Sequence, residues 1–266
     1  MAADIVSSDI VGYQTQEEGT GFQFIATPFT MTDGGEDFLL ADFKTNCDET
    51  GTESTGWEEK VDAIVVLDDT GSYVRRLVYV PEWYAEGEEY TKGWYDSDEA
   101  DDDSYTTPYD NTFEMPFGYG VQISISGNRG QSVTYSGKVK ETPTILDLPQ
   151  GFSIVGNCAC KDLQLSNLLT NCDETGTEST GWEEKVDAVV ELDNTGSYVR
   201  RLIYVPEWYA EGEEYSKGWY DGDEADDDSY TTELGSSVSF GGGKGFQVSI
   251  SGSRGQKITI KSALAN

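Results

Sequence analysis

"GVQISISGNRGQSVTYSGKV", residues 120–139, returns as "GFQVSISGSRGQKITIKSAL", residues 245–264. In both stretches apolar and polar residues alternate on either side of a glycine-rich turn, the pattern of strands that bury one face. The alternation predicts a β-hairpin in each. Its recurrence at an offset of 125 predicts a chain built twice from one β unit.

Outward from these stretches the duplication becomes nearly literal. Residues 45–107 and 170–232 align without a gap at the same offset. Six of the 63 positions differ: Ile64/Val189, Val66/Glu191, Asp69/Asn194, Val78/Ile203, Thr91/Ser216 and Ser97/Gly222. The outer flanks match more loosely, "GTGFQFIATPF" from Gly19 against "LPQGFSIVGNC" from Leu148. The expected fold class is all-β, with two tandem sandwich or small barrel-like domains at 1–140 and 141–266. "KVKETPT" at 138–144 is the expected linker.

Other segments add strands. "VDAIVVLD" and "SYVRRLVYV" read as a pair turning at Asp69-Thr70-Gly71, and "DIVGYQTQ" with "FQFIATPF" as another. Pro81 and Pro206 end strands or mark edges. "GGGKG" from Gly241 lacks the spacing of a phosphate-binding loop and reads as a loop leading into a strand. Only "EDFLLADF" and "KDLQLSNLL" suit a short helix.

Charge excludes several classes of function. Fifty acidic residues face seventeen basic ones, a formal net charge of -33, which repels nucleic acid and anionic membrane surfaces. Partners are then cations, neutral polymers or further copies of the chain. With no histidine, the commonest general base and zinc ligand are missing. No carboxylate pair is marked out as an acid/base couple, so the expectation is not an enzyme. No apolar run is long enough to span a membrane. "MAADIVSSDIVGY" lacks the basic and apolar regions of a signal peptide. This leaves a protein that is not secreted, or an extracellular or cell-surface one whose signal peptide has been removed. The acidity also suits a high-salt habitat.

The two zones of each copy differ in composition. Each near-identical segment carries eighteen Asp/Glu against four Lys/Arg, a net of -14. All six Trp and twelve of the sixteen Tyr lie in these segments, and all ten Phe lie outside. Phe asks for no hydrogen bond, whereas Trp and Tyr suit half-wet surfaces. The flanks are therefore expected to form the main core strands and the repeated segment a partly exposed, aromatic-rich face.

The order "SSDIVGYQT…GFQFIATPF…GG", then "LDDTGSY", then "GWYD", then "YGVQISISG" and "VTYSGKV" is similar to that of uncharacterised secreted tandem β-repeat surface proteins of the Verrucomicrobia–Lentisphaera type. The resemblance covers most of both copies. It implies an exported or surface β-protein without known chemistry. The acidic segment "CDETGTESTGWEEK" and the cysteines depart from that pattern.

There are four cysteines, Cys47, Cys158, Cys160 and Cys172. Their spacing without histidine does not suit zinc. Cys158 and Cys160 lie two apart, too strained for a mutual bond if extended. Disulfides would pair them with Cys47 and Cys172 in either order. A bond from Cys47 to a neighbouring subunit, or buried free thiols, are the alternatives. Disulfides would imply an oxidising, extracellular setting.

Two constellations are candidates for a site. In "GWYDSDEADDDSY" the oxygens of Asp96, Asp98, Glu99, Asp101, Asp102 and Asp103 are hard ligands suited to Ca2+. Asp221, Asp223, Glu224, Asp226, Asp227 and Asp228 repeat them. The loop is no EF-hand, because Asp101 stands where glycine is needed and Thr107 where glutamate is needed. A solvated acidic loop is the plain alternative. The second constellation is aromatic: Trp83, Tyr84, Trp94 and Tyr95, with Trp208, Tyr209, Trp219 and Tyr220 as repeats. Beside carboxylates, such rings suit stacking on sugars or contact with another subunit. The leading expectation is a non-enzymatic extracellular structural protein that assembles head to tail with itself into a fibre or surface layer, firmed by divalent cations and disulfides. The alternative is calcium-assisted binding of a polysaccharide by the Trp/Tyr-acidic face.

Overall fold

The computed structural model describes residues 11–18, 21–30, 38–40, 44–45, 62–67, 73–101, 105–109, 112–125, 131–159, 161–170, 187–192, 197–226, 230–250 and 256–261. The fold is all-β, and among the described residues no sheet closes into a barrel.

Unit one runs β1 (Val11–Glu18), β2 (Gly21–Ala26), β3 (Phe38–Leu39), β4 (Lys44–Thr45), β5 (Asp62–Leu67), β6 (Tyr73–Val80), α1 (Glu82–Ala85), β7 (Gly93–Asp96), α2 (Ser97–Asp101), β8 (Glu114–Met115), β9 (Gly120–Ile125) and β10 (Gln131–Lys138). Unit two repeats it as β11 (Thr144–Leu148), β12 (Gly151–Gly156), β13 (Leu163–Gln164), β14 (Leu168–Thr170), β15 (Asp187–Leu192), β16 (Tyr198–Val205), α3 (Glu207–Ala210), β17 (Gly218–Asp221), α4 (Gly222–Asp226), β18 (Ser239–Phe240), β19 (Gly245–Ile250) and β20 (Gln256–Ile260). Each unit has a five-stranded antiparallel sheet, β2-β9-β5-β6-β7 or β12-β19-β15-β16-β17. A three-stranded sheet, β1-β10-β4 or β11-β20-β14, forms a second layer, and β3-β8 or β13-β18 make a small ribbon.

The core of each unit fills the space between the two layers. In unit one, alternation turns Val121, Ile123 and Ile125 of β9 inward, against Val133 and Tyr135 of β10. Phe246, Val248 and Ile250 meet Ile258 and Ile260 in the same way. This packing corrects the hairpin expectation. β9 pairs with β2 and β5, and β10 pairs with β1 and β4, so the chain passes from one layer to the other between Ile125 and Gln131. β1 and β2 likewise lie in different sheets. The β5–β6 pairing is a true antiparallel ladder, Ala63↔Val78 through Leu67↔Tyr73, with a bulge between Val66 and Leu67.

Local structure differs from expectation at three further places. In the segment expected to be helical in unit two, Leu163–Gln164 and Leu168–Thr170 are strands flanking one 3-10 turn at Leu165–Asn167, which buries Leu165 and Leu168. Of "DIVSSDIVGYQ", residues 4–14, a segment suited by sequence to complete a neighbour's sheet, residues 11–14 are paired with β10 of their own unit, and residues 1–10 lie outside the described residues. The repeated segment is more than a partly exposed face. It supplies three of the five strands of each sheet, and Ile64, Leu77 and Trp94 sit in the main core.

The two units meet about an approximate twofold axis. Ala26 N donates to Gly243 O at 2.8 Å, and the equivalent Gly156 N donates to Gly118 O at 2.9 Å. The bridge Ile25↔Lys244 has the equivalent Tyr119↔Val155. A contact in which residue i meets j while j meets i is isologous, the geometry of a closed dimer. Within one chain the two copies are therefore related by a dyad. The halves of the join differ in chemistry. On one side Gln14 Nε2 donates to Gly242 O at 2.9 Å, and Gln16 Nε2 donates to the same carbonyl. On the other, Leu146 packs over Gly118 and Phe117 enters the unit-two core.

Candidate functional site

The acidic loop is built by short-range hydrogen bonds. Asp96 ends β7 and its Oδ1 accepts the Asp98 amide at 3.1 Å, which starts α2. Glu99 reaches forward to the returning chain: Oε2 accepts the amides of Thr106 and Thr107 at 2.9 and 3.2 Å, and Oε1 the Thr106 hydroxyl at 3.1 Å. Unit two repeats this staple with Asp221, Asp223, Glu224, Thr231 and Thr232. For Glu224, burial raises the carboxyl pKa, but the Thr231 and Thr232 hydrogen bonds outweigh it and hold the group below the ordinary value. These carboxylates close a loop. Among the described residues no group of three or more candidate ligands is placed to hold a metal. Asp101 and Asp226 end α2 and α4. Asp102, Asp103, Asp227 and Asp228 lie outside the described residues.

The aromatic constellation splits by strand alternation. Trp94 and Tyr95 are neighbours on β7, so they point to opposite faces. Trp94 enters the main core, with its ring 5.3 Å from that of Tyr79. Tyr95 enters a small core on the other face with Val80 and Tyr105, and its hydroxyl donates to Thr91 O at 2.9 Å. Tyr84, Tyr90 and Tyr105 close that core edge to face and stacked. Trp219 and Tyr220 repeat the division. Only 1–3 % of these four side chains is exposed, so they are not available to a ligand. Trp83 and Trp208 are half-buried on the first short helices, beside Tyr84 and Tyr209. Each borders an open cleft, of about 650 Å³ in unit one and 680 Å³ in unit two. The Lys92–Glu82 and Lys217–Glu207 ion pairs, both 2.7 Å, cross the rims.

Cys158 is a buried free thiol in the unit-two core, one of the alternatives to a disulfide, with its Sγ 3.2 Å from Gly156 O. Burial pushes it up to about 12, against the smaller opposing effects of Thr144 and Lys140. Cys47, Cys160 and Cys172 lie outside the described residues.

The surface feature not anticipated is the first half of β6 and of β16. Tyr73, Val74, Arg75 and Arg76 are all exposed, although a strand sends successive side chains to opposite faces. Neither face of this half of the strand is therefore covered by a core. Tyr73 and Val74 are 60 and 56 % exposed, and Tyr198 and Val199 are 59 and 50 %. β7 pairs only with Leu77–Val80, and β17 only with Leu202–Val205. Tyr73–Arg76 and Tyr198–Arg201 are thus strand-paired on one side only, among the described residues, by β5 and β15, while α2 and α4 pack against the Arg76 and Arg201 ends of the other side, Gly222 lying beside Arg201. Arg75 is held by Asp96 at 3.4 Å and lies over the Tyr109 ring, and Arg200 pairs with Glu191 at 2.6 Å; Arg76 and Arg201 are exposed. The signal was present in the sequence, since two apolar residues followed by two arginines cannot alternate. A smaller cavity of about 260 Å³ lies between the units and is bordered by Phe22, Phe24, Glu191 and Lys244. Val66/Glu191 is the only one of the six repeat differences that trades an apolar side chain for a charged one.

Comparison with protein-family models, with curated proteins and with solved structures returns no match.

Proposed function

We propose that the protein is a non-enzymatic structural component of the cell exterior that assembles with itself into a filament or layer. The observation that carries this reading is the exposed "YVRR" half-strand, present twice and displayed on the pseudo-dyad-related units of one acidic chain. An open edge with apolar side chains is a template for strand pairing. In the antiparallel register centred on these four residues, Tyr73 lies opposite Arg76 of the partner subunit, a ring–guanidinium pair. The surrounding negative charge opposes unspecific aggregation and leaves the arginine-bearing edge as the place of approach. Because the two edges are related by the internal dyad, edge-to-edge pairing adds a second dyad, and alternating dyads propagate in one dimension. Such a filament has no polarity. Negative-stain electron microscopy of concentrated protein tests the reading: filaments or sheets support it, and isolated particles of one chain at every concentration sink it.

A second reading, polysaccharide binding, is favoured by the duplicated clefts beside Trp83 and Trp208, where a half-buried ring adjoins carboxylates. Affinity electrophoresis in glycan gels, with and without calcium, tests it through a Trp83→Ala/Trp208→Ala variant. Retardation that the variant retains would exclude the clefts.

A further inference from the structure

We infer that the join between the units is a self-pairing surface whose choice of partner is set by one methyl group on the pseudo-dyad, and that unit two retains the capacity to pair with a second copy of itself. On the axis Ala26 faces its equivalent, Gly156. A methyl group added to Gly156 would overlap the Ala26 methyl, with Tyr119 O only 3.3 Å away. Gly156 ends a regular strand outside the left-handed region, so space, not backbone conformation, keeps a side chain out. The axis admits one methyl group and not two.

Partner choice follows from that count. Unit one against unit one would set Ala26 on Ala26 and force the strand ends apart. Unit two against unit two would set Gly156 on Gly156, with no overlap. The other close approaches tolerate this pairing, because both units supply glycine where the partner's side chain lands. A Cβ added at Gly120 would lie 2.7 Å from Ile154 Cγ2, and one added at its equivalent Gly245 would lie 3.0 Å from Phe24 Cβ. Leu146 packs over Gly118, where an added Cβ would lie 2.6 Å from Leu146 Cδ2, and in a pair of second units Leu146 would meet Gly243. Phe117 has Gly242 as its equivalent, so such a pair lacks that ring and is weaker than the natural one. In the intact chain the short connection between Lys138 and Thr144 raises the effective concentration of the natural pairing. The join is made by β2, β9, β12 and β19 and not by the exposed edges of β6 and β16, so this inference does not depend on the assembly reading.

The test uses the full chain with a protease site placed in the 139–143 loop. After cleavage, native mass spectrometry should find the halves still paired one to two. Once the halves have been separated, unit two should form dimers and unit one should not. Gly156→Ala should weaken the one-to-two pairing about tenfold or more, as overpacking does. Adding Ala26→Gly moves the methyl group across the axis and should restore that pairing and invert the preference, so that unit one now self-pairs. This rescue also covers the case in which Gly156→Ala alone fails to fold. Three results overturn the proposal: wild-type halves that separate while circular dichroism shows both folded, a double variant that pairs no better than Gly156→Ala, or self-pairing by wild-type unit one.

Discussion

Replacing Trp94 by alanine separates a core role from a ligand role for the repeated aromatics. The side chain is 1 % exposed, between the layers of unit one and against Tyr79. An aromatic side chain buries about 150–250 Å², which at about 25 cal/mol per Å² is worth roughly 4–6 kcal/mol. Alanine keeps part of that area, and large-to-small replacement of a buried aromatic costs about 3–5 kcal/mol with its cavity. With a urea dependence of about 2 kcal/mol per M, the midpoint should fall by about 2 M. Each unit has its own core, so the loss should appear as early unfolding of unit one, followed by a second step for unit two. Trp219→Ala should reverse the order. Trp83→Ala, on the wall of an open cleft, should cost less than about 1 kcal/mol. Urea unfolding followed by far-ultraviolet circular dichroism and tryptophan fluorescence measures all three. A Trp94→Ala midpoint within error of wild type, or a Trp83→Ala cost as large, would refute this placement of the rings.

Two further outcomes follow from individual groups. The Glu224 carboxyl titrates below its unfolded value, so its contribution is complete near neutral pH and is lost as pH falls through the folded pKa. Glu224→Gln should therefore lower the melting temperature at neutral pH, and the gap should narrow as pH falls through the folded pKa; an undiminished gap under strongly acid conditions contradicts the staple. Cys158, neutral because burial lifts its pKa to about 12, should resist iodoacetamide in the folded protein and react on unfolding. Peptide mapping by mass spectrometry reads this directly, and rapid native labelling would place the thiol outside the core.

The strands were legible because burying one face of a sheet requires alternation, and β9 and β19 alternate without a break. Their pairing was not. A glycine-rich turn marks where the chain bends, and both a hairpin and a crossing to the facing layer bury Ile123 and Val133. The fate of Trp94 and Tyr95 was hidden for a related reason. Their adjacency dictates opposite faces, but only the fold reveals that Tyr84, Tyr90 and Tyr105 cover the second face. In the acidic loop, composition suggested a cation, whereas Glu99 is committed to amides seven and eight residues away. The exposed edge was legible in principle, since Tyr73-Val74-Arg75-Arg76 offers no apolar face to bury.

The central claim is that each chain carries two like edges that pair with edges of other chains. Sedimentation velocity over a concentration series, comparing wild type with Val74→Lys and with Val74→Lys/Val199→Lys, tests it most directly. Wild type should grow with concentration into long species. The single variant, left with one working edge, should stop at closed dimers, and the double variant should remain one chain. A wild type that stays one chain throughout, or a single variant that polymerises like wild type, would contradict it.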